Sequence, residues 1–180
     1  QSKKKTEEIG DFEIEGMYVE NSLLNYYNEE EIKSFYQNAS YYRDNAFAVI
    51  FVDRYSNMYD RIQATLKPGD SKHKIFSLEG IIDFDKEINK CKKKRKQIIN
   101  DIEDMFSNYE RIDDDGHYEP DKSKNSFSNT TWFFLKSGGF ISVECTEMGD
   151  EVRKEKGWTV QLSIAITGEK LESFLRGNPY

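Results

Sequence analysis

From Trp158 to Ile166 the chain alternates without error: Trp158, Val160, Leu162, Ile164 and Ile166 are apolar, and Thr159, Gln161, Ser163 and Ala165 stand between them. A period of two residues is the signature of a strand with one face buried and the other polar. Such a strand requires neighbours with a matching face. "FSNTTWFFL" and "FISVECTEM", joined by a "KSGG" turn, are two of them. "NAFAVIFVDRY", "YDRIQATL" and "HKIFSLEGIIDF" lie upstream, the last two joined by "KPGDSK", and predict three antiparallel strands in a meander. "DFEIEG" predicts a further short strand that stops at Gly16.

Between the two groups the period changes. From Asp85 to Ser107 the apolar residues Ile88, Cys91, Ile98, Ile99, Ile102, Met105 and Phe106 recur at helical spacings, which predicts one long helix. Asp85 and Glu87 complement the positive end of its dipole. Asn28 and Glu31 have the spacing of a capping box, so a short helix is expected over 29–37, and another over Glu169 to Leu175 ends near Gly177. "NYERIDDDGHYEPDKSKNS", with its acids, Gly116 and Pro120, predicts a long exposed loop, and the charged stretch before Trp158 predicts a second. The expected fold is α+β: an antiparallel sheet of about six strands packed on one long central helix, with short N- and C-terminal helices. The other sheet face is expected to be largely wetted. Residues 1–10 read as a polar leader and 11–180 as a single domain.

Charged residues make up 33% of the 180 and aromatics 14%, a busy surface around a real core. The formal net charge of −7 opposes a general affinity for nucleic acid or anionic lipid. No apolar run approaches the roughly 20 residues needed to cross a bilayer. The chain starts at Gln1 rather than Met, as removal of an export signal would leave it, although a trimmed end would look the same. The expected location is periplasmic or extracellular.

Cys91 and Cys145 are too few for a cysteine metal site and too far apart for a CxxC redox motif. They are either two small buried hydrophobes in a reducing compartment or, in an exported chain, one disulfide contributing about 2 to 4 kcal/mol. Cys91 sits on the helix stripe and Cys145 shares a strand face with Ile141 and Val143, so both point toward the same core.

Three clusters are candidates for function. In "KCKKKRKQ" the lysines 90, 93, 94 and 96 fan away from the apolar stripe, while Arg95 falls at the stripe and suits a structural ion pair. That run reads as a solvated helix face; nucleic-acid binding through 90–96 is an alternative that the acidic total disfavours. Asp113, Asp115 and Asp121 around Gly116 faintly resemble a calcium loop, but Arg111 stands where the first carboxylate belongs and Lys122 where the last does. A metal-dependent binder or enzyme using the 113–121 segment is a second alternative. The third cluster is aromatic: Tyr26, Tyr27, Tyr41 and Tyr42 offer contact area at low entropic cost, or else pack the short helices onto the sheet. His73 and His117 have no zinc spacing, and no phosphate loop, nucleophile elbow or dinucleotide fingerprint is present, so no cofactor is expected.

"FEIEGM", "SLL", "EEEI", "KIFSLEGIIDF", "LKSGGFISVEC" and "GWTVQLSIAI", taken in order, resemble a family of small, uncharacterised exported proteins of marine alphaproteobacteria. The resemblance spans nearly the whole chain. It implies export and places both cysteines in corresponding elements, but brings no activity, ligand or catalytic residue. One departure is "VENS", Val19 to Ser22, where the group carries a glycine-containing turn of "IGDS" type. The function expected is a non-enzymatic exported domain that binds a protein or envelope component, compatible with a place in a larger assembly.

Overall fold

The computed structural model describes residues 8–180. Most of the leader, residues 1–7, therefore lies outside the described residues, while Ile9–Asp11 form a 3-10 turn that buries Ile9. Ten strands and four α-helices follow. They are β1 (Glu13–Ile14), β2 (Met17–Tyr18), α1 (Glu29–Phe35), β3 (Ser40–Tyr41), β4 (Ala48–Val52), β5 (Arg61–Leu66) and β6 (Ser77–Asp83). After these come α2 (Ile88–Met105), β7 (Tyr109–His117), β8 (Phe127–Leu135), β9 (Phe140–Glu147), α3 (Asp150–Lys156), β10 (Val160–Thr167) and α4 (Glu169–Leu175).

β1 and β2 pair as a small hairpin, and the other eight strands form one antiparallel sheet in the order β3-β4-β5-β6-β10-β9-β8-β7. The meander β4-β5-β6 is as expected. α2 then carries the chain across to the far edge, and β7 to β9 step back until β10 closes against β6, Ile164 opposite Gly80.

The α+β class holds, but about six strands becomes eight plus two, and two expected loops are regular structure. The acidic stretch is β7, paired with β8 from Tyr109↔Leu135 to His117↔Phe127. It is an edge strand with hardly any buried side chain, so no alternation marks it, and its regularity comes from the ladder offered by β8. The charged stretch before Trp158 is α3, which buries nothing. Its acids Asp150 and Glu151 open the helix, Arg153, Lys154 and Lys156 close it, and Gly157 at φ 72° ends it.

One helix also proves too small to cover the sheet. Eighteen residues make a rod about 27 Å long and 10 Å wide, enough for two strands. α2 lays Cys91, Ile98, Ile99 and Ile102 over β9 and β10. The rest of that face is covered by the N-terminal segment, through Phe12, Ile14, Met17, Val19 and Leu23, and by Ile32 of α1. Phe12 and Phe106 meet edge to face at 4.5 Å. α1 carries the expected capping box, Asn28 Oδ1 accepting from the Glu31 amide at 2.9 Å and Glu31 Oε2 from the Asn28 amide at 2.8 Å. In "VENS", Glu20 has φ 77°, a region that favours glycine, and its carboxylate pairs with Lys74.

Cys91 and Cys145 form a disulfide with a Cα separation of 6.0 Å, both fully buried. It ties α2 to β9 at the centre of the core.

The sheet is strongly curled. Laid flat, the seven intervals between β3 and β7 would hold the edges roughly 33 Å apart at ~4.8 Å each. Instead the ring of Tyr42, one residue past β3, lies 5.7 Å from that of Tyr180, which also reaches the loop after β7. The segment after α4 bridges the two sides: the Arg43 amide donates to the Pro179 carbonyl at 2.9 Å, and the Lys122 ammonium lies 5.4 Å from the centre of the Tyr180 ring. The face turned inward is the polar one. Thr65, Ser77, Ser128, Thr130, Thr146, Gln161 and Thr167 are all buried, which corrects the expectation of a wetted face.

Candidate functional site

The inner face holds two glutamates. On β10 the side chains alternate, so Gln161, Ser163, Ala165 and Thr167 point opposite to the apolar set. Register places Glu79 of β6 opposite Ala165 and Glu144 of β9 opposite Ser163, so both carboxylates rise from the same face on either side of β10. Each is met by hydroxyls. The Ser163 hydroxyl donates to Glu79, and Glu144 accepts from Thr130 Oγ1 at 2.8 Å and Thr146 Oγ1 at 3.1 Å. Ser128 Oγ lies 2.9 Å from Thr146 Oγ1 and extends the chain of hydroxyls. No cation stands within ion-pair distance of either glutamate among the described residues.

Burial pushes the Glu79 carboxyl above the ordinary carboxylate range; the Ser163 hydroxyl opposes this, and the negative charge of Glu144 adds to it. Glu79 nevertheless keeps part of its surface in reach of solvent.

Three tyrosines, Tyr42, Tyr118 and Tyr180, the last of them exposed, lie within electrostatic reach of these carboxylates. Burial raises the phenol of Tyr118, and the charges of Glu79 and Glu144 raise it further. Tyr42 is raised first by burial, then by Tyr180 and Glu79, and Tyr180 by burial, Glu144 and Glu79. All three therefore remain neutral at physiological pH. The rings of Tyr42 and Tyr180 lie 5.7 Å apart with their planes tilted by 37°, and Tyr42 also packs edge to face on Phe174 of α4. A small cluster of Phe47, Phe76 and Leu171 fixes α4, and through it Tyr180.

The predicted clusters fall elsewhere or divide. Among the contact tyrosines Tyr42 packs against Tyr180 and Phe174, whereas Tyr27 is only 8% exposed, donates to the Asp53 carbonyl at 3.1 Å and packs on Phe35. Tyr26 lies under Arg54 at 5.5 Å, and Tyr41 is 51% exposed on the edge strand β3. The basic run and the acidic stretch turn out to face one another. Arg95 donates to Thr131 Oγ1 at 2.5 Å and the Val143 carbonyl at 3.3 Å, with Asp113 at 4.0 Å; Arg111 bonds both Asp113 and Glu103. Asp115 accepts from Asn129 at 2.7 Å. Asp121 is turned into its own loop, accepting from the hydroxyls and amides of Ser123 and Ser126. The three aspartates are thus not brought together, and no group of three metal-ligating side chains occurs among the described residues. His73 bonds Glu29 at 2.9 Å and His117 stacks on Phe127.

Glu79 and Glu144 escaped the sequence reading because each occupies a polar position in an alternating strand, where an acid reads as wetted. The available signal was an acid flanked by a buried pair, Leu78 and Gly80 or Val143 and Cys145, in strands central enough to have two neighbours each.

Fold and site together define an α+β domain with a curled antiparallel sheet whose polar inner face carries Glu79 and Glu144. The chain matches no family profile, no curated protein and no solved structure. No helix among the described residues is long and apolar enough to cross a membrane.

Proposed function

We propose that this is a non-enzymatic, exported binding domain that receives a small polar ligand from its envelope or extracellular surroundings on the polar inner face of the curled sheet. The observation that carries this reading is the pair of carboxylates on that face, Glu79 and Glu144, neither with a cation within ion-pair distance among the described residues. Both are half-buried, and a carboxylate withdrawn from water with no cation beside it costs stability, because hydroxyl donors leave the charge itself uncompensated. A fold under selection for stability alone would replace them, so their presence at a cost is what a binding site looks like. Gln161 adds to this: it is 7% exposed on the same strand face, and its side-chain nitrogen has no hydrogen-bond partner. The buried disulfide fits an oxidising compartment.

The test is stability. Glu79→Gln and Glu144→Gln keep shape and the acceptor oxygen while removing charge, and both are expected to melt higher than wild type at pH 8. A lower melting temperature for both variants would mean that the carboxylates are structural, and the reading would fail.

A second reading has its own observation. Between α2 and β7 lies a groove of 460 Å³ lined by Lys92, Arg95, Lys96 and Arg111 against the single acid Asp115. Arg95 and Arg111 also meet Asp113 and Glu103, so Lys92 and Lys96 give this groove the positive charge that suits a short polyanion. Salt-dependent retention on a heparin column, lost in Lys92→Ala/Lys96→Ala, is the outcome it requires.

A further inference from the structure

We propose that the outer edge of β7 takes up an extended segment of a partner protein as a further antiparallel strand, and that it selects a segment with basic, apolar and basic side chains at alternate positions. This surface is separate from Glu79 and Glu144 and does not depend on a ligand there.

The ladder shows which backbone groups are free. In an antiparallel pair, residues directly opposite one another either exchange both backbone bonds or exchange none, in strict alternation. At the two ends of the ladder between β7 and β8 the Lys136 amide donates to the Asn108 carbonyl at 3.3 Å and the Tyr118 amide to the Ser126 carbonyl at 2.9 Å. The register between them is unbroken, so Glu110, Ile112 and Asp114 turn their amides and carbonyls to β8. Arg111, Asp113 and Asp115 turn theirs outward, where no strand or loop backbone among the described residues meets them. Every residue from Glu110 to Asp115 is exposed, so this edge is open to solvent. A row of unpaired amides and carbonyls is a template for another strand.

The same parity sets the side chains that a new strand meets. A strand bonded to Arg111, Asp113 and Asp115 faces Glu110, Ile112 and Asp114 in the non-bonded positions, where opposite Cα atoms are only about 4.5 Å apart and side chains touch. These three share one face of β7. Neither Glu110 nor Asp114 has a cation within ion-pair distance among the described residues. Ile112 between them is 42% exposed, an apolar side chain that the fold leaves in water. On the opposite face Asp113 already meets Arg95 and Arg111, and Arg111 meets Glu103. Selection therefore falls on the face of Glu110, Ile112 and Asp114, which fits a lysine or arginine, then an aliphatic residue, then a lysine or arginine.

A second copy of β7 does not satisfy this pattern. Antiparallel pairing about Ile112 sets Glu110 against Asp114 at both ends, and like charges directly opposite one another destabilise a ladder. The acids thus bar self-association while admitting a basic strand.

The experiment is amide hydrogen exchange by NMR on the full chain, with the peptide "TKTVTKT" and with its charge-reversed counterpart "TETVTET". At about nine-tenths saturation with the basic peptide, the amides of Arg111, Asp113 and Asp115 are expected to exchange about tenfold more slowly than in the free protein. The acidic peptide is expected to bind at least about tenfold more weakly, because two cross-strand ion pairs become two repulsions. In Glu110→Lys/Asp114→Lys the preference is expected to reverse. Binding that leaves those three amides unprotected would mean attraction of charges without strand pairing and would overturn the proposal. So would equal affinity for the two peptides, an unreversed preference in the double variant, or no binding of the basic peptide at about 1 mM.

Discussion

Replacing both cysteines by alanine tests the load on the disulfide. Cys91 and Cys145 are 54 residues apart in sequence, and opening a loop of that length returns conformational entropy to the unfolded chain worth about 4 kcal/mol at 25 °C. Both residues are fully buried, on α2 and β9, so the alanines also leave a small void at the contact between helix and sheet. For a chain of this size 1 kcal/mol moves the melting temperature by roughly 2–4 °C, so Cys91→Ala/Cys145→Ala is expected to melt about 8–16 °C lower than the oxidised wild type. Urea unfolding followed by circular dichroism gives the same difference as a free energy. Wild type reduced under denaturing conditions and refolded with its thiols blocked supplies an independent arm. A loss below about 1 kcal/mol in both arms would refute the reasoning, because the bridge would then add little to a core that holds α2 on the sheet unaided.

Two further outcomes concern packing and pH. A methyl group at Gly80 would stand 2.3 Å from the Tyr59 ring, so Gly80→Ala is expected to cost about 1–3 kcal/mol in urea unfolding. Combining it with Tyr59→Ala should cost less than the sum of the two, and strict additivity would mean that the ring does not rest on that glycine. Asp121 accepts from Ser126 Oγ at 2.6 Å and Ser123 Oγ at 2.7 Å, and these hydroxyls hold its pKa down to about 2. A depressed folded-state pKa contributes stability above the unfolded value near 4 and loses it as pH falls. Asp121→Asn should therefore melt below wild type at pH 7, with the gap closing between about pH 4 and pH 2; a gap constant across that range would show that the charge plays no part.

Much of the fold was legible because periodicity reports which face of an element meets other atoms. α2, β4, β5, β6, β8, β9 and β10 each carry an apolar face, and each lies close to where its pattern predicts. β7 and α3 carry none. β7 is regular because β8 offers it a full ladder, and α3 because its charges suit a helix dipole, so neither leaves an apolar period to read. The site was hidden for a related reason. Alternation marks Glu79 and Glu144 as facing away from the core, but not what lies on that side.

The sequence by itself determined the class of fold, the capped first helix, the long amphipathic helix and the shared core toward which Cys91 and Cys145 point, all of them local patterns or their direct geometric consequence. The tertiary structure alone decided that the polar face is the inside of a curled sheet. That curl is the accumulated twist of eight paired strands, with Tyr42, Tyr118 and Tyr180 carried together from separate parts of the chain. Neither the twist nor the meeting of the edges is encoded at any one position, and both arise only when all the strands are paired.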